Sequence, residues 1–282
     1  MASPLLRPWL VLNCLLVCLN VCSATNYATK FAWVDSSCAR HADELDDAWD
    51  EFRALAAEAY WEINANPLST LARTTMNYLF NPPISSIATL EGNFDRMRML
   101  GRDTLTPYYL YCDASVFVYV STYTSGENEG KPLPENQRYW YASRAPPGKT
   151  ISWKSKSATN PCYDEEGRER DAFSYESGGA LVLCPGTWEK DATHLCEENA
   201  VQTRGTSIDY MATIGSILYH ELTHLRLHTD DWAYGYRGCY DLARSDPTKA
   251  MDNADSMMYF AIAMLYRKNA WYTGVAGPLP AD

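Results

Sequence analysis

The chain is predicted to adopt an α+β fold, mainly helical with a small sheet, and three observations carry that assignment. Segments near both ends repeat apolar residues at helical spacing, and short runs in the middle alternate apolar with polar residues. A further helical stretch with a continuous apolar stripe holds three of the five histidines.

Residues 5 to 22 form an apolar run broken only by Arg7, Pro8, Asn13 and Asn20, followed by the small residues Ser23 and Ala24. That is the shape of a secretory signal peptide, so residues 1–24 are expected to be removed and residues 25–282 to form a single domain. From Cys38 to about Ile63, Ala42, Leu45, Ala48, Phe52, Leu55 and Ala56 mark the apolar side of a helix whose outer side is Asp and Glu. A second helix is predicted from Leu68 to Phe80, ended by Pro82-Pro83, and a third from Ser86 to Leu100. Leu110 to Ser121, with Val116, Val118 and Val120 alternating, reads as one strand.

Thr122 to Gly179 is a polar insertion rich in Gly, Pro, Ser and charge, in which Tyr139-Trp140-Tyr141 and Ile151 to Trp153 are the strand candidates. Ala180 to Leu183 is the last predicted strand. In the next helix, Ser207 to about Leu227, Met211, Ile214, Leu218, Leu222 and Leu225 recur at intervals of 3, 4, 4 and 3, with Ser207 or Thr206 as its cap. A final helix from Pro247 to Arg267 packs through Ala250, Ala254, Met257, Met258, Ala261 and Leu265.

Composition narrows the function. A net charge of −11 and a pI near 4.9 give no basic surface for nucleic acid. Beyond the leader no stretch approaches the eighteen or so apolar residues of a membrane span, so a secreted, extracellular monomer without membrane attachment is expected. Cys14, Cys18 and Cys22 leave with the signal, and the six that remain (Cys38, Cys112, Cys162, Cys184, Cys196 and Cys239) suit three disulfides. A Cys162–Cys184 bond would close the polar insertion. The cysteines are too scattered for a Cys-x-x-Cys metal site.

The segment His220-Glu221-Leu222-Thr223-His224 places two imidazoles on one face of a helix, one turn apart, where both can reach one tetrahedral Zn²⁺. Glu221 lies beside them, where the motif places a general base. Three residues downstream compete as third ligand. His228 lies about 6 Å further along the axis if the helix persists, too far to share the ion. Asp230 has the spacing of another class of zinc site, which needs a glycine where this chain has Leu227. Asp231 remains.

Thr229-Asp230-Asp231-Trp232-Ala233-Tyr234-Gly235 resembles the Gly-Thr-x-Asp-x-x-Tyr-Gly motif of the aspzincins, the deuterolysin-like family that includes peptidyl-Lys metalloendopeptidases. The similarity continues through Gly238 to Ala243, Asp246 to Ala250, Asn253 to Ser256 and Tyr259-Phe260-Ala261, and also takes in Leu181-Val182-Leu183-Cys184-Pro185. The resemblance implies a zincin-like metallopeptidase domain with one zinc ion on His220, His224 and Asp231, Glu221 as general base and Tyr234 steadying the oxyanion. Two departures stand out. His228 replaces the motif's leading glycine, and Asp255 matches one carboxylate of a lysine-binding pocket whose second member is here Met258. The expected function is that of a secreted zinc-dependent endopeptidase acting on protein or peptide substrates, with Asp255 as a substrate-binding residue. A non-catalytic secreted zinc binder on the same fold is the alternative, against which an intact Glu221 weighs.

Overall fold

The structure is a computed structural model that describes residues 26–102, 105–164, 166–195 and 200–280. The expected signal peptide and Cys196 lie outside the described residues. Seven helices and two small sheets among these residues make the α+β fold that the sequence predicts.

The helical layer is built around α1 (Ala42–Ile63), α2 (Thr70–Leu79) and α3 (Ile87–Arg102). Leu45, Ala48, Phe52, Leu55 and Ala56, the apolar side of α1 named from the sequence, are all buried, together with Trp49. Ser69 caps α2 by accepting from Ala72 N at 3.1 Å.

The expected strand from Leu110 to Ser121 is instead two strands in different sheets, β2 (Thr106–Tyr111) and β3 (Phe117–Val120). Between them Cys112 is bonded to Cys38, and the Asp113 side chain accepts from Ser115 N to start a tight 3₁₀ turn. The turn changes the chain's direction before alternation can continue.

The four-stranded sheet has the order β1-β2-β7-β6, with β1 (Phe31–Val34), β2 and β7 (Ala180–Leu183) parallel and β6 (Ala172–Tyr175) an antiparallel edge. Neither β1 nor β6 is apparent from the sequence, because each is four residues long without a clean alternation. All of β7 is buried, with Leu181 and Leu183 in the helical core and Ala180 and Val182 in a second core against the other sheet. That second sheet, β3-β4-β5, uses the two expected strand candidates, β4 (Tyr139–Ala142) and β5 (Ser152–Lys154).

Cys162 is bonded to Cys184, as the sequence suggested, and fastens the polar insertion to the end of β7. Cys239 forms no disulfide among the described residues.

The histidine-bearing helix α4 (Ile214–Leu227) starts later than expected. Thr213 and not Ser207 or Thr206 is its cap, in a reciprocal box with Ser216, and Ser207 caps a separate short 3₁₀ turn at Ile208–Met211. Glu51 of α1 anchors that start: its buried carboxylate accepts from Thr213 Oγ1 at 2.5 Å, Tyr266 Oη at 2.5 Å and His194 N at 3.3 Å. Burial pushes the Glu51 carboxyl upward, while these three donors oppose the shift. Gly215 permits the close approach, since a Cβ there would lie 2.7 Å from Glu51 and 2.9 Å from the Ala48 carbonyl.

After α4 come α5 (Gly235–Ser245), which the sequence reading did not single out, then α6 (Pro247–Met251) and α7 (Ala254–Leu265). The expected final helix is thus broken at Asp252-Asn253. Every residue of α7 is buried, which makes it a central helix packed on α1, α2, α4 and α5. No helix among the described residues is long and apolar enough to cross a membrane.

Buried Asp35 holds the two sheets' connections together by pairing bidentately with Arg144, both distances 2.8 Å. Burial alone would raise the Asp35 carboxyl, but hydrogen bonds from Arg144 and Ser37 and the Arg144 charge lower it to about 2. A carboxyl lowered on folding stabilises above its unfolded pKa, and that contribution disappears as pH falls through the folded value. Arg144→Ala is therefore expected to cost about 1–2 kcal/mol at pH 7 and almost nothing near pH 2, as read from urea unfolding at both pH values.

Candidate active site

His220 and His224 project from α4 one turn apart, as expected from their spacing. Their Nε2 atoms are 3.1 Å apart, and Asp231 Oδ1 lies 3.1 Å from the first and 3.3 Å from the second. Each imidazole has its other nitrogen engaged. His220 Nδ1 is 2.8 Å from Asp255 Oδ1, and His224 Nδ1 is 2.6 Å from the Thr229 carbonyl. Both Nδ1 atoms must then carry the proton, which leaves both Nε2 lone pairs facing Asp231.

Asp231 reaches this position because residues 229–235 are pinned to the start of α7. Asp230 N donates to Asp252 O at 2.8 Å, Ala254 N to Asp230 O at 3.1 Å, Ala233 N to Asn253 Oδ1 at 2.9 Å and Gly235 N to Asp255 Oδ2 at 2.7 Å. Asp230 is therefore held in a backbone bridge, and it is Asp231 that groups with the histidines. His228 is outside the cluster. It ends α4 in the left-handed conformation, φ 62°, with its side chain 74% exposed and paired to Glu176 at 2.9 Å. The expected glycine is thus replaced by a residue strained into a glycine's conformation.

Glu221 is 5% exposed and lies beside the histidines. Ser174 of the edge strand β6 lies beside its carboxylate, while Oε2 is buried without a partner. Burial pushes the Glu221 carboxyl up against the opposing pull of the two imidazoles. Tyr234 is 67% exposed, and its hydroxyl lies on the Asp231 side of the cluster. Partial burial and the Asp231 charge push its phenol upward, keeping it a donor at neutral pH. Burial would lower the His220 and His224 imidazoles, but the hydrogen bonds that their protonated forms make to Asp231 raise both, with Asp255 adding to the effect at His220. The same contacts lower the Asp231 carboxyl against the effect of its own burial.

A metal ion fits this donor set. A tetrahedron with arms of roughly 2.0–2.1 Å has edges of about 3.3–3.4 Å, close to the three observed separations. Two neutral imidazoles, one carboxylate and an unpartnered buried Glu221 oxygen next to them form a chemically coherent zinc site.

Of the residues predicted from sequence, the structure thus assembles His220, His224, Asp231, Glu221, Tyr234 and Asp255. It adds Ser174, Thr229 and Asn253 as their supports. Thr229 and Asn253 lie within the motif segments, whereas Ser174 sits in the polar insertion with no local signal.

Residues 148–262, which contain all of these groups, match the aspzincin family of lysine-specific metallo-endopeptidases. A peptidyl-Lys metalloendopeptidase of Pleurotus ostreatus is 51% identical over 49 residues, 17% of this chain and 29% of that one. An extracellular protease of Aeromonas hydrophila is 31% identical over 142 residues, 46% of this chain and 36% of that one. A zinc peptidase from Grifola frondosa aligns with a TM-score of 0.47 and 20% identity, covering 81% of this chain and 97% of that one. The chain spans about a third of the length of these two curated relatives.

Two outcomes are expected from this geometry. Asp231→Ala should abolish stoichiometric zinc in metal analysis, whereas Asp230→Ala should retain it, since Asp230 contributes its backbone. His228→Gly should raise stability by up to about 1 kcal/mol in chemical denaturation, because relief of the left-handed strain exceeds the added chain entropy.

Proposed function

We propose that this chain is a secreted zinc-dependent endopeptidase that hydrolyses peptide bonds at the centre formed by His220, His224, Asp231 and Glu221. The observation that carries the reading is the convergence of three donor atoms beside a buried, unpartnered Glu221 oxygen. His220 Nε2, His224 Nε2 and Asp231 Oδ1 would hold the ion. What zinc supplies when bound is Lewis acidity, which activates water and polarises a substrate carbonyl.

The remaining work falls to the chain's own groups. Glu221 Oε2 accepts the proton of the attacking water and returns it to the leaving amine. Its burial makes that oxygen more basic than an exposed carboxylate. The Tyr234 hydroxyl donates to the oxyanion that develops on the carbonyl. An exposed phenol at the rim is free to turn to it.

The substrate enters as an extended chain along the free edge of β6, whose Ser174 lies beside Glu221. Secretion agrees with the two disulfides and with the signal-like leader.

The test is metal analysis of the secreted protein together with digestion of an unfolded protein substrate. Glu221→Gln should retain about one zinc and lose at least about a thousandfold in kcat, and Tyr234→Phe should lose about 10²–10³-fold with zinc unchanged. Zinc binding without cleavage in the wild type would instead support a metal-binding protein on this fold.

A further inference from the structure

Resting on the reading of the centre as a metallopeptidase, we propose that Asp255 is a positioning residue that joins the His220 imidazole to the backbone carrying Tyr234. The two oxygens face two different N–H groups. Oδ1 is 2.8 Å from His220 Nδ1, and Oδ2 accepts from Gly235 N at 2.7 Å. The residue is 7% exposed, and each of its oxygens is engaged by one of these groups.

The need for this arrangement follows from the identity of residue 234. The residue preceding a helix usually accepts a hydrogen bond from the first turn through a short Ser, Thr, Asp or Asn side chain. At the start of α5 that position is Tyr234, whose side chain makes no capping bond. The first two N–H groups of α5 are capped from elsewhere, Gly235 by Asp255 and Tyr236 by Asp209 Oδ1 at 3.0 Å. Gly235, at φ 70°, lets the chain turn so that its N–H meets Asp255 while Tyr234 faces the centre. One carboxylate therefore orients a donor to the metal and the residue beside the developing oxyanion.

Asparagine separates positioning from substrate contact. Asp255→Asn keeps the shape but offers one oxygen and one NH₂, so it can accept from His220 or from Gly235 and must set an N–H against the other. Asp255→Glu keeps the charge and displaces the oxygens by a methylene, which gives a second route if the first variant folds poorly.

Both variants should weaken zinc about 10–100-fold in chelator competition and lower kcat equally for peptides with lysine or leucine after the cut, with KM little changed. Asp255→Asn combined with Tyr234→Phe should lose less kcat than the product of the single losses, since part of the first effect acts through Tyr234. In metal-free protein, the hydrogen-bonded Nδ1 proton of His220 should give a downfield NMR signal that Asp255→Asn removes.

The proposal is overturned if Asp255→Asn keeps wild-type zinc affinity and the His220 signal and raises KM for lysine peptides alone. If the wild type neither binds zinc nor cleaves, the peptidase reading fails, while the metal-free NMR signal still decides whether Asp255 orients His220.

Discussion

The contact between residues 229–235 and the start of α7 is the constraint on which the rest of the centre depends. Two backbone bonds through Asp230, one from Ala233 to Asn253 and one from Gly235 to Asp255 turn a loop into a fixed extension of a buried helix. At a net value of about 1 kcal/mol each, four such bonds exceed the roughly 1–2 kcal/mol of left-handed strain at His228. The turn therefore forms with histidine where the family motif has glycine. Because α7 is buried along its whole length, the loop inherits the rigidity of the core.

The charged and titratable groups of the centre are partnered one by one, Glu221 Oε2 excepted. Placing Glu221, His224 and Asp255 in a largely buried region would be costly without partners. Asp255 and the Thr229 carbonyl each engage an imidazole Nδ1, Ser174 lies beside Glu221, and Asp231 faces both Nε2 atoms. What is left unmatched, Glu221 Oε2, is the atom that the proposed chemistry uses. The far end of α4 is secured by a different buried carboxylate, Glu51, which holds the Thr213 cap and the Tyr266 hydroxyl. The helix bearing the histidines is thus fixed at both ends by groups outside it.

Much of this was legible in residue spacing. The apolar side of α1, the strand at Ala180–Leu183, the strand candidates in the insertion, the Cys162–Cys184 bond and the pairing of His220 with His224 follow from short local patterns. The departures have physical causes that local patterns do not carry. Alternation past Leu110 suggested one strand, but a disulfide and an Asx turn divide it between two sheets. Ser207 looked like the cap of α4 and instead caps a 3₁₀ turn, because Thr213 is the residue that Glu51 and Ser216 can reach.

By itself the sequence determined most of the helices and the one-turn spacing of the histidines, since helical periodicity belongs to contiguous chain. The tertiary structure alone decided how a backbone bridge at Asp230 brings Asp231 to the histidines, that Ser174 lies beside Glu221 and that Asp255 spans His220 and Gly235. Those relations join residues from separate elements, and they exist only because β6 and α7 pack beside α4 and bring distant polar groups within hydrogen-bonding distance.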